Sequence, residues 1–254
     1  MVRLHVERLG AGRDLVLLHG WGLHGGVWSG MLDRLSSRHR LHVIDIPGHG
    51  HSRAMPFEGL DAAVDAVSPV IPEGAIVCGW SLGGLLALRL AGRYPHQTAA
   101  LALLGTTPCF VERQDWPHAM KAQTFEDFAQ GLRQDPEATM GRFLKLIALG
   151  GIDARAHARA LAEEAATRGP AEPGSLAAGL ETLRATDLRT SVARIDRPVA
   201  VIHGRRDALV PVEAGRWLAR TLPHASLIEI EDAAHLPYSS HADSVAQAIE
   251  NLHG

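Results

Sequence analysis

Six short aliphatic and β-branched runs recur along this chain, most of them separated by longer stretches with helical spacing, and that alternation limits the possible folds more than any other feature. The runs are DLVLLHG (14–20), LHVIDIPG (41–48), AIVCGW (75–80), TAALALLGT (98–106), PVAVIHG (198–204) and SLIEIED (226–232). Short strands joined by helical crossovers form a mostly parallel central sheet flanked by helices, an α/β fold. Several runs end in Gly or Asp, and the carboxyl ends of the strands are where an open parallel sheet places its functional loops. Helical spacing over 81–95, 212–223 and 241–252 marks three of the helices, the first stopping before Pro95.

From about Phe110 to Thr190 the alternation stops. This stretch is rich in Ala, Glu, Gln and Arg, has no strand pattern, and carries breakers at Pro117, Pro136, Gly150-Gly151 and Pro170 to Gly174. A helical insertion of that length between two strands of one sheet is expected over the sheet's carboxyl edge, where a cap belongs. The alternative is a separate helical domain. The expected organisation is a core over 1–109, a helical cap over 110–190 inserted before the last strands, and the rest of the core over 191–254. A chain of 254 residues can bury a full core without disulfides or a metal.

Composition removes several classes of function. Lysine plus arginine number 25 against 28 aspartates and glutamates, so no bulk charge draws the protein to nucleic acid or an anionic membrane. The only cysteines, Cys78 and Cys109, read as free thiols of a reducing compartment. The opening MVRLHVERLG lacks the apolar stretch and cleavage site of a secretory signal. No apolar run reaches the roughly 18 residues of a membrane span. The expected location is the cytoplasm.

Gly79-Trp80-Ser81-Leu82-Gly83 fits G-x-S-x-G, the nucleophile elbow, in which a strained strand-to-helix turn pushes a serine hydroxyl clear of the backbone. Five residues are a weak pattern alone, and Ser81 could simply be a small residue in a tight turn. An apolar strand before it and an apolar helix after it supply the context that the elbow needs. A serine hydroxyl needs a base to remove its proton and an acid to orient that base. Of fifteen histidines, His235 in EDAAHLPY follows the last strand, and Asp207 in HGRRDALVP follows the strand before it. Both have the loop position that the elbow requires. The plain alternatives are a capping or turn aspartate and a surface histidine. Asp232 competes for the acid but is too near His235 in sequence. Two backbone N–H groups should form the oxyanion hole, one from Leu82 at the helix N-terminus and one from Trp21 in His19-Gly20-Trp21-Gly22. A packed core tryptophan is the alternative for the Trp21 side chain and is compatible with that role.

With HGWG at 19–22, DIPGHGHS at 45–52, the elbow, the late Asp and the late His, the chain resembles the α/β-hydrolase superfamily from end to end. Within it the sequence is similar to the pimeloyl-[acyl-carrier protein] methyl ester esterase family of biotin synthesis. That resemblance rests on LVLLHGWGLHGGVW, GWSLGGL, TTPCFVERQDWP, RFLKLIALG, DARAHARAL, GLETLRATDLR and AAHLPYSSH, which run through the cap as well as the sheet. It implies a serine carboxylesterase that cleaves the methyl ester on a pimeloyl chain borne by acyl carrier protein. It implies Ser81 as nucleophile, Asp207 as acid and His235 as base. Trp21, Leu82, Phe143, Leu144, Lys145, Leu146 and Ile147 fall on pocket positions, and Arg142, Arg155 and Arg159 on basic cap positions that meet the carrier. One departure is Ala138, where the basic cluster would have a further arginine.

The residues themselves are compatible with this. Arg155 and Arg159 are four apart on one helix face, Arg142 and Lys145 three apart on another, and between Ala138 and Ala160 the only acid is Asp153. A cationic patch there would steer an acidic partner; solvated helix faces are the alternative. Phe143 and Ile147 would give a pocket an apolar wall, or would simply be cap core. The expected chemistry is a two-step hydrolysis needing no metal or organic cofactor, by a monomer. A short-chain carboxylesterase acting on small esters without a carrier protein remains open. So does a non-catalytic ligand receptor on the same fold. A dehalogenase or epoxide hydrolase would carry aspartate in place of Ser81.

Overall fold

The runs with the fewest polar interruptions form the strands buried on both faces. In a computed structural model that describes residues 3–252, the strands are β1 (Val6–Leu9), β2 (Arg13–Leu18), β3 (His39–Ile44), β4 (Ala75–Trp80), β5 (Thr98–Leu104), β6 (Val199–Gly204) and β7 (Ala225–Ile230). Met1 and Val2 of the stretch read for a leader lie outside the described residues. All six positions of β4 and of β6 are buried, as parallel strands covered by helices on both sides require. The sheet order is β1-β3-β2-β4-β5-β6-β7, parallel throughout except for β1, which pairs antiparallel with β3. The order reverses between β2 and β4, so the loops after these two strands face one crevice.

The helices are α1 (Ser29–Ser36), α2 (Leu60–Val67), α3 (Leu82–Arg93), α4 (Ala122–Gln134), α5 (Pro136–Ala148), α6 (Ala154–Thr167), α7 (Pro173–Ala185), α8 (Arg189–Val192), α9 (Val212–Thr221), α10 (Pro237–Ser240) and α11 (Ala242–Glu250). Helices α4 to α7 all fall between β5 and β6, which is the expected helical insert. Two of the prolines that read as breakers start helices. Pro136 and Pro173 stand at N1, behind Asp135 and Glu172, whose carboxylates accept from backbone N–H groups of the first turn. Strand β1 and helices α1 and α2 were not legible as elements, because four half-exposed residues or two helical turns are too short for periodicity to show.

The insert is tied down by polar contacts as well as packing. Arg168, just past α6, reaches Asp45 after β3 at 3.0 Å and Glu7 of β1 at 2.9 Å. Asp45 also accepts from the N–H groups of Gly25 and His51. Burial by itself would raise its carboxyl, but the neighbouring His19, these hydrogen bonds and Arg168 together hold it below its ordinary value. At the start of α7, the Ser175 hydroxyl accepts from the Phe57 N–H at 3.0 Å. Both cysteines are buried and free. Among the described residues no helix is long and apolar enough to cross a membrane.

Candidate active site

Strand β4 delivers Ser81 directly onto the N-terminus of α3. Ser81 has φ 54° and ψ −115°, and with Asp153 it is one of two non-glycine residues at positive φ among the described residues. Such a backbone costs on the order of 1–3 kcal/mol and persists only where the surroundings impose it. Close packing imposes it here. A Cβ on Gly79 would lie 2.3 Å from the Gly83 carbonyl oxygen, and one on Gly83 would lie 2.2 Å from that of Leu18. Both glycines of the motif are therefore demanded by contact between strand, helix and neighbouring strand.

Asp207 follows β6 and His235 follows β7, and the fold brings them together. His235 Nδ1–H donates to Asp207 Oδ2 at 2.6 Å, with both side chains essentially inaccessible to solvent. Asp207 Oδ1 accepts from the N–H groups of Leu209 and Val210 at 2.8 and 2.9 Å. Burial by itself would raise the Asp207 carboxyl, but the imidazole of His235, its hydrogen bond, His203 and the Val210 N–H together hold it below its ordinary value. A carboxylate accepting from Nδ1–H fixes the tautomer of His235 and leaves the lone pair on Nε2, the state in which that nitrogen could take up a proton. The main chain of His235 is gripped on both sides: its N–H donates to the Ile147 carbonyl at 3.1 Å, and its carbonyl accepts from Trp80 Nε1–H at 2.7 Å. Asp232 instead meets His241, at 2.9 Å.

The loop after β2 is shaped by two buried histidines. His19 Nδ1–H donates to the Gly20 carbonyl while Nε2 accepts from the Ile46 N–H at 2.9 Å. His49 Nδ1–H donates to the Pro47 carbonyl while Nε2 accepts from the Gly22 N–H at 3.2 Å. Burial first, with repulsion from His49, pushes His19 down to about 3, and burial pushes His49 down to about 4. Both stay neutral, as a ring that must donate from one nitrogen and accept at the other requires. With Gly22 N–H occupied, the N–H groups of Trp21 and Leu82 have no acceptor among the described residues. The Trp21 side chain is also core: it is 3% exposed, and its Nε1–H donates to the Leu176 carbonyl at 3.0 Å.

Beside Ser81 and Trp21 lies a cavity of about 80 Å³ whose walls are almost wholly apolar. Phe143 and Leu146 of α5 line it, with Phe128 and Phe143 packed edge-on or tilted around Trp21. Leu144 and Lys145 do not line it, and Ile147 lies in the core with its carbonyl on His235. Five consecutive helical residues turn through more than a full circle, so they cannot all face one cavity. Phe110, Met120, Thr124, Phe125, Leu180, Leu183 and Leu209 complete the wall. Sequence reading missed these seven and Phe128. Apart from Thr124, their only signal was apolar character, inside the insert or, for Leu209, in the loop after β6, and core residues share it.

Arg142, Arg155 and Arg159 are all exposed. Arg142 donates to the Thr139 hydroxyl at 2.6 Å, Arg159 is paired with Glu163 at 2.9 Å, and Arg155 has no carboxylate partner among the described residues. Ala138 stands at the opposite end of α5 from the loop of His235. Among the described residues no group of three or more His, Cys, Asp or Glu is arranged to hold a metal ion.

Comparison with known proteins identifies the family and the fold. The sequence model of the alpha/beta hydrolase fold family matches residues 15–242. The pimeloyl-[acyl-carrier protein] methyl ester esterase of Nitrosomonas europaea is 40% identical over 253 residues, covering 99% of this chain and 100% of that protein. Those of Chromobacterium violaceum and Aromatoleum aromaticum are 43% and 44% identical, covering 98% and 94% of this chain and 97% of each relative. Among solved structures, a bromoperoxidase from Bacillus anthracis superposes with TM-score 0.88 at 24% identity, over 97% of this chain and 94% of that one. An esterase from Exiguobacterium antarcticum gives TM-score 0.86 at 18% identity with the same coverage. At such identities the two structures speak for the fold alone.

Proposed function

We propose that this chain, which belongs to the alpha/beta hydrolase fold family and within it to the pimeloyl-[acyl-carrier protein] methyl ester esterases, hydrolyses the methyl ester of pimeloyl-[acyl-carrier protein] to the free carboxylate and methanol in biotin synthesis. The observation that carries this reading is the buried Asp207–His235 pair, 2.6 Å apart, on the same sheet edge as the strained Ser81 and its apolar cavity.

In this reading His235 Nε2 removes the Ser81 proton as Oγ attacks the ester carbonyl. The N–H groups of Trp21 and Leu82 receive the charge that develops on the carbonyl oxygen, with the α3 N-terminus adding its dipole. Collapse of the tetrahedral intermediate breaks the bond to methoxide, which takes the proton from His235 and leaves as methanol. Water, deprotonated by the same histidine, then attacks the acyl-serine and releases the carboxylate. Asp207 stabilises the imidazolium at each proton transfer. Protein groups cover each step, so the scheme calls for no metal or cofactor. Phe143, Leu146 and their neighbours receive methylenes of the acyl chain.

The insert over 110–190 acts in this reading as a cap on the core formed by 1–109 and 191–254, and its exposed Arg142, Arg155 and Arg159 meet the acidic carrier. In this reading the enzyme acts as a monomer in the cytoplasm, a compartment that two buried free thiols suit. A broader carboxylesterase activity on small esters is favoured by one feature, a cavity wall without a charged group to demand a carrier-linked chain. A receptor without activity would not need the strain at Ser81.

The test is hydrolysis of pimeloyl-carrier-protein methyl ester against a small free methyl ester, for wild type and Ser81→Ala. The expected result is a kcat/KM preference for the carrier-bound ester and loss of both activities in the variant. Equal turnover of the two esters assigns a general esterase, and an active Ser81→Ala overturns the mechanism.

A further inference from the structure

The turn between α5 and α6 carries the two large apolar side chains left exposed among the described residues, Leu149 at 56% and Ile152 at 44%. Its neighbours are cationic. Lys145 lies one helical turn before Leu149, Arg155 lies three residues after Ile152, and Arg206 Nη1 touches the Gly150 carbonyl at 3.4 Å. All three are exposed and without a carboxylate partner among the described residues, whereas Arg159 and Arg205 are paired with Glu163 and with Glu231. Asp153 is the one acid within the turn.

This patch adjoins the active site. The Ile152 N–H donates to the Asp232 carbonyl at 2.8 Å, and a Cβ on Gly151 would lie 3.1 Å from Ala234, next to His235. Phe143 and Leu146, which line the cavity, are on the helix that ends at this turn. A partner seated here would hold its acyl group beside the cavity wall.

Resting on the functional reading above, we infer that Leu149, Ile152 and Arg206, with Lys145 and Arg155, form the seat of the acidic carrier protein, an apolar contact bordered by unpaired cations. Its centre is displaced along α5 from Ala138, eleven residues or roughly 16 Å of helix away. Charge complementarity selects the partner and speeds its encounter, and the apolar pair supplies desolvated contact. Arg206, in the loop of Asp207, brings a cation from outside the insert, so the carrier spans cap and core.

The experiment compares wild type, Leu149→Ser/Ile152→Ser and Arg206→Glu on pimeloyl-carrier-protein methyl ester and on a small free methyl ester, at low and high salt. Each variant should raise KM for the carrier-bound ester about tenfold with kcat and small-ester hydrolysis within twofold. The Arg206→Glu defect should also shrink at high salt. Intact small-ester activity certifies folding. Unchanged KM in both variants, with wild type still preferring the carrier-bound ester, overturns this seat alone. No wild-type preference overturns the functional reading and the seat together. Sedimentation showing a wild-type dimer that the Leu149→Ser/Ile152→Ser protein cannot form assigns the patch to a second copy of the chain and overturns the carrier assignment.

Discussion

The indole N–H of Trp80 donates to the main-chain carbonyl of His235 at 2.7 Å, and the two rings pack with centroids 5.6 Å apart. Trp80 immediately precedes Ser81, so one side chain links the strand of Ser81 to the loop of His235. That link makes Trp80 a positioning residue in the proposed mechanism. Trp80→Phe removes the donor, keeps an aromatic ring and leaves a buried carbonyl unpaired, at a cost of about 1–3 kcal/mol. The variant should lose at least about tenfold in kcat with little change in KM. Phosphonylation of Ser81 should slow in parallel. Wild-type kcat in a folded Trp80→Phe protein would remove this role.

Asp207→Asn preserves shape but places an amide against His235 Nδ1 and so favours the wrong tautomer. A fall in kcat of about 10³–10⁴ is expected, on the pattern of other Ser-His-Asp sites. The Leu209 and Val210 N–H groups keep their acceptor at Oδ1, so thermal unfolding should change far less than activity. Steady-state kinetics beside a melting curve separates the two.

Acid should weaken the fold through the buried histidines His19 and His49 beneath the loop that follows β2. His19 and His49 are lowered to about 3 and about 4 from 6.5. The unfolded chain takes up these protons near pH 6.5 and the folded protein resists until far lower. Their contribution is therefore complete above about pH 6.5 and declines as pH falls towards 4, by about 1.4 kcal/mol per unit for each ring. Asp207, also lowered, adds a loss that begins only below its ordinary value of 3.8. Stability measured against pH for wild type and His49→Gln should show a shallower decline between pH 6 and 4 in the variant. Parallel curves would refute the assignment to His49.

Helix α7 approaches Trp21 so closely that only glycine fits at 179, where a Cβ would lie 2.6 Å from Trp21 Cδ1. Gly179→Ala should push α7 away, break the 3.0 Å bond from Trp21 to Leu176 and destabilise the protein by about 1–3 kcal/mol. The moved Trp21 should also raise KM for long-chain esters. Denaturant unfolding with unchanged midpoint would show that the helix accommodates the methyl group.

By itself the sequence determined the parallel sheet, the helical insert and the positions after β4, β6 and β7 from which Ser81, Asp207 and His235 project. Those depend on local periodicity and on turn chemistry, which neighbours in the chain carry. Tertiary structure alone decided which of Phe143 to Ile147 face the cavity, since direction around a helix is set by what packs against it. It alone joined Trp80 to His235, 155 residues apart, and placed His19 and His49 under the loop that follows β2. It also separated the paired Arg159 from the unpaired Arg155 and Arg206, because pairing depends on where two flexible charged side chains come to rest in space.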